Sequence, residues 1–287
     1  MYEIGVITNG ISLDLEHAGD VMQAEGIRHA ELQFVWDKEV GDHSPDQIER
    51  IKKLKAAYGL SIPCISRHVF AGLSVMQTQP GDEPYQRHLD GLKRCMKVAK
   101  ELDCPLVRVM SFRKEMIIFG FNGAEQWVAT DGSWGRLLKL FEIPVRLAEE
   151  EGLTLVVETG NNAMINSAAL GRKLIGDLGT KHLKLLWDIP NTRYADEIPF
   201  PDAYGEIKDC LGHVHIKDCK VDISRATVRF CALGKGDMAP YLDDIFASLK
   251  RDGYRGVVSY ESVYRPDGGS FEDGFRESLP VLKKYSR

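Results

Sequence analysis

The chain has 287 residues, 44% hydrophobic and 28% charged, the balance of an ordinary globular protein rather than a disordered or fibrous one. A net charge of −5 without any Lys/Arg cluster excludes a nucleic-acid footprint, and no run approaches the roughly 18 uncharged apolar residues of a membrane span. The opening MYEIGVITNG lacks the basic-then-apolar pattern of a secretory signal, so the expected location is cytoplasmic. The six cysteines form no C-x-x-C pair and read as small buried hydrophobes in a reducing compartment.

In chain order, β-rich runs predict strands at 3–8, 28–35, 61–67, 105–110, 153–158, 183–188, 211–217 and 255–261. Amphipathic stretches lie between them. DLEHAGDVMQAEG stops on glycine; SPDQIERIKKLKAAYG opens with Ser44 and Pro45 and also ends on glycine. The connection after the sixth strand, ADEIPFPDAYGEI, holds only a short helical pattern. Strands that each lead into helical sequence imply a parallel sheet, and eight of them suit a closed barrel. The expected fold is α/β, a single (β/α)8 TIM barrel forming one domain over 1–287. No G-x-G-x-x-G follows the first strand to favour a doubly wound open sheet. Two segments are too long for plain connections, 70–84 and 111–133, the second carrying Phe112, Phe119, Phe121 and Trp127. Both follow strands and so belong to the C-terminal face of the barrel. Packing onto that face and walling a substrate are equally good readings of the aromatics.

Four consecutive strands end in side chains that bind metals: Glu158, Asp188, His215 and Glu261. One acidic strand end is usually a solvated loop boundary or a helix cap. Adjacent strands lie about 4.8 Å apart, so four inward side chains at one level can converge. Three carboxylates packed together would repel one another, and a divalent cation relieves that repulsion. Three carboxylates and one imidazole suit Mn²⁺ first, with Mg²⁺, Co²⁺ or Zn²⁺ as alternatives. The scattered charge of a barrel mouth is the bland reading.

His213 and Lys217 share a face with His215 in LGHVHIK. His213, one layer deeper, is expected to support the ligands or to be a satisfied core histidine. Lys217, at the rim, suits a substrate oxygen, or equally a salt bridge to Asp218 or another neighbour. Asn161 and Asn191, each three residues beyond a candidate ligand, are expected substrate or supporting donors, unless they are simply turn residues. Arg108 lies on the inward face of the fourth strand, a candidate substrate contact that also needs an acidic partner, for which Glu158 is placed. His68 is a further inward candidate for substrate contact, and Glu31 for support of the ligands. The GKG at 234–236 reads as a turn before a helix rather than a phosphate cradle, which favours an unphosphorylated substrate.

These motifs, VVETGN, LLWDIPN, GHVHIKD, ALGKGDMAPYLDDIFASLKRDGYRGVVSYE and the early AELQF, resemble those of the xylose isomerase-like TIM-barrel superfamily of sugar (phosphate) isomerases and epimerases. The resemblance runs over nearly the whole chain. It implies one divalent metal on Glu158, Asp188, His215 and Glu261, with Glu158 and Glu261 also the catalytic acid/base pair. It further implies a carbohydrate or cyclitol substrate and a homo-oligomer, dimer or tetramer. The expected activity is isomerisation or epimerisation by proton abstraction α to a carbonyl, through a metal-stabilised enediolate. The alternative is a lyase on a keto-sugar or keto-cyclitol, similar to inosose dehydratases or 3-oxo-C-glycoside deglycosidases, using the same metal and glutamates. Sugar 3-epimerases of the tagatose/psicose kind carry a histidine where this chain has Asn191.

Overall fold

A computed structural model describes residues 1–114, 123 and 132–286. Eight parallel strands form the barrel: β1 (Glu3–Ile7), β2 (His29–Glu31), β3 (Cys64–Ile65), β4 (Leu106–Val109), β5 (Thr154–Glu158), β6 (Leu183–Asp188), β7 (Leu211–Ile216) and β8 (Val257–Tyr260). Each pairs with its sequence neighbour from β3 to β8, and β8 pairs with β1. The seam between β2 and β3 closes only through isolated bridges, His29 with Ser61 and Leu32 with Ile65. Gly5 makes the β8–β1–β2 junction fit, because a Cβ there would come within 2.7 Å of Val257 Cγ1 and 2.9 Å of the His29 carbonyl.

Long helices pack around this ring: α1 (Leu15–Glu25), α2 (Pro45–Ala57), α3 (Glu83–Glu101), α4 (Ser133–Glu151), α5 (Ala168–Leu178), α6 (Leu242–Arg251) and α7 (Phe271–Tyr285). Their ends follow the local chemistry read from the chain. Ser44 and Gln47 form a reciprocal capping box at α2, with Pro45 in its first turn. Gly26 takes the left-handed conformation that stops α1. After β6 there is no long helix, only short helical turns at Ile189–Thr192, Arg193–Ala195, Pro199–Ala203 and Tyr204–Ile207, as the weak pattern there predicts.

One element was not legible in the sequence. Asp218–Asp222 and Thr227–Cys231 pair as an antiparallel hairpin that projects from the end of β7. The Asp218 carboxylate, one of the alternatives the sequence offered to Lys217, instead accepts from the backbone N–H groups of Cys219, Gly234, Gly236 and Met238. The GKG turn is therefore closed by the chain's own carboxylate. Phe112 packs inside, stacked on Phe70 at 4.9 Å and edge-on to Phe141. Phe119, Phe121 and Trp127 lie outside the described residues. All six cysteines are free thiols, four buried and two half-buried.

Candidate metal centre at the barrel mouth

The barrel interior changes character along its axis. Cys64, Val156 and Leu186 form a small apolar plug, with Leu106 against it. Beyond it lies a polar layer made by the strand parity that points inward. Glu31, Arg108, His213 and His215 are buried there, and so are Ser66 and Ser259. Buried ionic groups require mutual satisfaction, and this layer supplies most of it.

Glu31 sits at its centre. One carboxylate oxygen lies 2.7 Å from His213 Nε2 and the other 2.7 Å from His215 Nε2, and the Ser66 hydroxyl also donates to it. Burial alone would raise this carboxyl, but the two imidazoles reverse that and hold it well below its usual range. Its ionised form accepts only, so each Nε2 must carry its proton. Arg108 donates from a terminal nitrogen to Glu158 Oε2 at 2.8 Å and from the other to the Ser66 carbonyl. Burial opposes ionisation of Glu158, and Arg108 overcomes it, keeping the carboxyl depressed.

Above this layer the side chains from β5, β6 and β7 converge. Donor atoms of Glu158, Asp188 and His215 all lie within 4.8 Å of one another. His215 Nδ1 is 3.4 Å from Glu158 Oε1, too poorly aimed to count as a hydrogen bond. Asp188 is wholly buried; its Oδ2 accepts from Asn191 at 2.8 Å and from Lys217, while Oδ1 has no partner. Burial, opposed by Lys217 and reinforced by Glu261 and Glu158, pushes its carboxyl up to about 7. Asp188 Oδ1 and His215 Nδ1 thus lack hydrogen-bond partners beside an ionised carboxylate. Burial would lower the His215 imidazole, but Glu31 and Glu158 raise it to about 10, so Nδ1 carries a proton that a bound cation would displace. That donor set fits a divalent cation.

Glu261 is not a member of this triad. Its carboxylate binds the Lys217 ammonium, which also binds Asp188, so the lysine bridges the two acids. The four candidate ligands are thus at one mouth, three in mutual reach and the fourth joined through a cation of the protein's own. A second triad, Glu31, His213 and His215, has the same spacing. Its atoms are already hydrogen-bonded to one another.

Of the other candidates, Asn191 is held by Asp188 Oδ2 and the Thr159 carbonyl and so orients the acid rather than facing solvent. Asn161 is exposed on the loop after β5. His68 stands half-exposed at the rim, with Nδ1 2.8 Å from Glu39 and Nε2 3.3 Å from Gln33. Asn9 extends that chain by donating to Gln33 at 3.2 Å. Ser66, Gln33, Thr159 and Tyr194 were not singled out from the sequence. Parity places Gln33 with Glu31, which was the available signal; a lone Ser or Tyr in a loop or short strand carries none.

The profile of the xylose isomerase-like TIM barrel family matches residues 20–285. The chain belongs to this family. No curated protein sequence matches it. Among solved structures it is similar to the 3-keto-D-glucoside 4-epimerase YcjR from E. coli, at 21% identity and a TM-score of 0.72, over 99% of this chain and 100% of that one. It is also similar to the probable 3-DHS dehydratase AsbF from Bacillus anthracis, at 14% identity and 0.71, covering 98% of each chain. A third is a xylose isomerase-like TIM barrel protein from Mycobacterium smegmatis in complex with magnesium, at 18% identity and 0.67, over 100% of this chain and 98% of that one. At such identities these similarities establish the barrel and no more. No helix among the described residues is long and apolar enough to cross a membrane.

Proposed function

We propose that the protein is a divalent-metal-dependent isomerase or epimerase of a keto-sugar or cyclitol. The observation that carries this reading is the buried, unpartnered pair Asp188 Oδ1 and His215 Nδ1 beside Glu158. Glu158, Asp188 and His215 would hold the ion, with Glu261 completing the set from β8, and Mn²⁺ or Mg²⁺ suits three carboxylates and one imidazole. The magnesium in a family relative supports a hard cation. When bound, such an ion polarises a carbonyl and so acidifies the adjacent C–H.

The chain's own residues account for the rest. Glu158 and Glu261 are the two mouth carboxylates held ionised, one by Arg108 and the other by Lys217. Lys217 stands where it can turn to a substrate oxygen. Once its ammonium does so, Glu261 loses its counter-ion and becomes the stronger base. A proton taken by one glutamate and returned by the other on the opposite face inverts the carbon; returned to the neighbouring carbon, it interconverts aldose and ketose. Arg108 and Glu31 do not touch substrate in this scheme. They fix the orientation and charge of Glu158 and His215. The epimerase among the similar structures supports this assignment.

A lyase reading uses the same residues and differs only in the fate of the carbanion, which expels a β substituent; the dehydratase among the similar structures favours keeping it. The test is a panel of keto-sugars and inososes incubated in D₂O with metal-loaded protein. Deuterium at the α carbon with unchanged skeleton supports isomerisation or epimerisation. Loss of water or aglycone selects the lyase, and no exchange on any substrate removes both.

A further inference from the structure

The hairpin that projects beyond β7 has two unlike faces. Cys219 pairs with Phe230 and Val221 with Val228, alternating with Lys220 opposite Arg229 and Asp222 opposite Thr227. Successive side chains point to opposite faces, so one face is apolar and the other polar, with charges of both signs. A finger meant only for solvent gains nothing from that segregation. Its apolar side chains nevertheless stay open, with Ile223, Val228 and Phe230 48%, 37% and 36% exposed.

The apolar face looks onto the barrel mouth. A cleft of about 340 Å³ lies between Val221, Ile223 and Val228 on the hairpin and Asn161, Asn162 and Tyr194 on the loops after β5 and β6. Asn161 is three residues beyond Glu158 and Tyr194 six beyond Asp188. The hairpin leaves the end of β7 and the two loops leave the ends of β5 and β6, the strands that carry His215, Glu158 and Asp188. The cleft therefore opens on the same barrel mouth as the candidate metal centre, with a volume in the range of small-molecule sites.

Its lining also limits what fits. Among the described residues no lysine or arginine bounds it, and the one acid there, Asp222, is taken up by Ser224 and Arg225. A phosphate would find no counter-charge there, and the nearby glycine turn is filled by Asp218. Two amides and a phenol on one side, and Val221, Ile223, Ala226 and Val228 with the Thr227 hydroxyl on the other, suit a neutral group with both apolar and polar parts.

We infer that this cleft is a subsite for a neutral, partly apolar substituent of the substrate, the aglycone of a glycoside, whose sugar ring occupies the metal centre. The inference rests on the carbohydrate reading of that centre, and its test is separable from the chemistry. Phenyl and methyl β-D-glucopyranoside carry the ring and the substituent but no ketone, so neither can react. Calorimetric titration of the metal-loaded protein is expected to give a dissociation constant at least tenfold lower for the phenyl glycoside. In an Ile223→Ser/Val228→Ser variant, checked for native secondary structure, that preference falls towards unity. Equal affinity for both glycosides, no binding of either at millimolar concentration, or a preference that survives the double substitution would overturn the subsite. So would sedimentation showing that the double variant splits a wild-type dimer, which would assign the face to a second copy of the chain. Absence of α-proton exchange would remove the isomerase reading and leave a measured phenyl preference standing. Exchange without that preference would do the reverse.

Discussion

The carboxylate of Glu31 lies 2.7 Å from Nε2 of His215, and this contact decides which ring nitrogen faces the centre. Because the ionised acid only accepts, Nε2 keeps its proton in either state of the ring, so Nδ1, turned towards Glu158, is the nitrogen that can give up its proton to a cation. Glu31→Gln breaks this, since an amide offers one acceptor oxygen to two imidazoles. The variant is expected to fold and to bind Mn²⁺ about 10- to 100-fold more weakly, as outer partners of metal-bound histidines usually do. Competition with a chromogenic chelator measures it; unchanged affinity would show that His215 needs no such orientation.

Lys217 acts as the protein's own cation between Asp188 and Glu261. All three side chains are largely buried, at 7%, 0% and 18% exposure, so the ammonium is weakly screened. Lys217→Met leaves two facing acids without a counter-ion, which should destabilise the metal-free protein by about 3 kcal/mol or more. Added Mn²⁺ should then raise Tm by more in the variant than in the wild type, because binding supplies the missing charge. Equal metal-induced shifts would contradict the bridging role.

At the rim, Glu39 provides an acid-side test away from the candidate ligands. Burial would raise its carboxyl, but hydrogen bonds from the His68 ring and backbone, helped by Arg67, lower it to about 2. A depressed native pKa stabilises the fold above the unfolded value of 4.5, and that contribution disappears as the pH falls from there towards 2. Urea midpoints of wild type and Glu39→Gln should therefore converge across this window, the wild type being the more stable at neutral pH. Parallel curves would show that the contact does not persist in solution.

Gly236 stands where any Cβ would overlap the Asp218 carboxylate and the Cys219 carbonyl. Gly236→Ala must push Asp218 off the backbone N–H groups it satisfies, with an expected loss of about 1–3 kcal/mol in chemical denaturation. A neutral substitution would mean that the turn is not closed by Asp218.

Much of the centre was legible because strand parity is a strict rule. Glu31, Arg108, His213 and His215 fall on inward positions once the strands are placed, and the structure brings them into one buried layer. The hairpin at Asp218–Cys231 was missed although its two strands alternate polar and apolar residues, because each is only five residues long and carries few apolar side chains. Pairing choices were also hidden. Lys217 and Asp218 are adjacent in sequence, yet strand geometry sends them to opposite sides, one to the mouth and one to the glycine turn. Which acid a buried cation selects depends on three-dimensional distances that spacing along the chain does not encode.

Crystals grown with Mn²⁺ and measured for anomalous scattering address the centre itself. The account predicts one strong peak bonded to Asp188 Oδ1, His215 Nδ1 and a Glu158 oxygen, abolished in Asp188→Asn. A peak on other residues, or none at saturating metal, would contradict it.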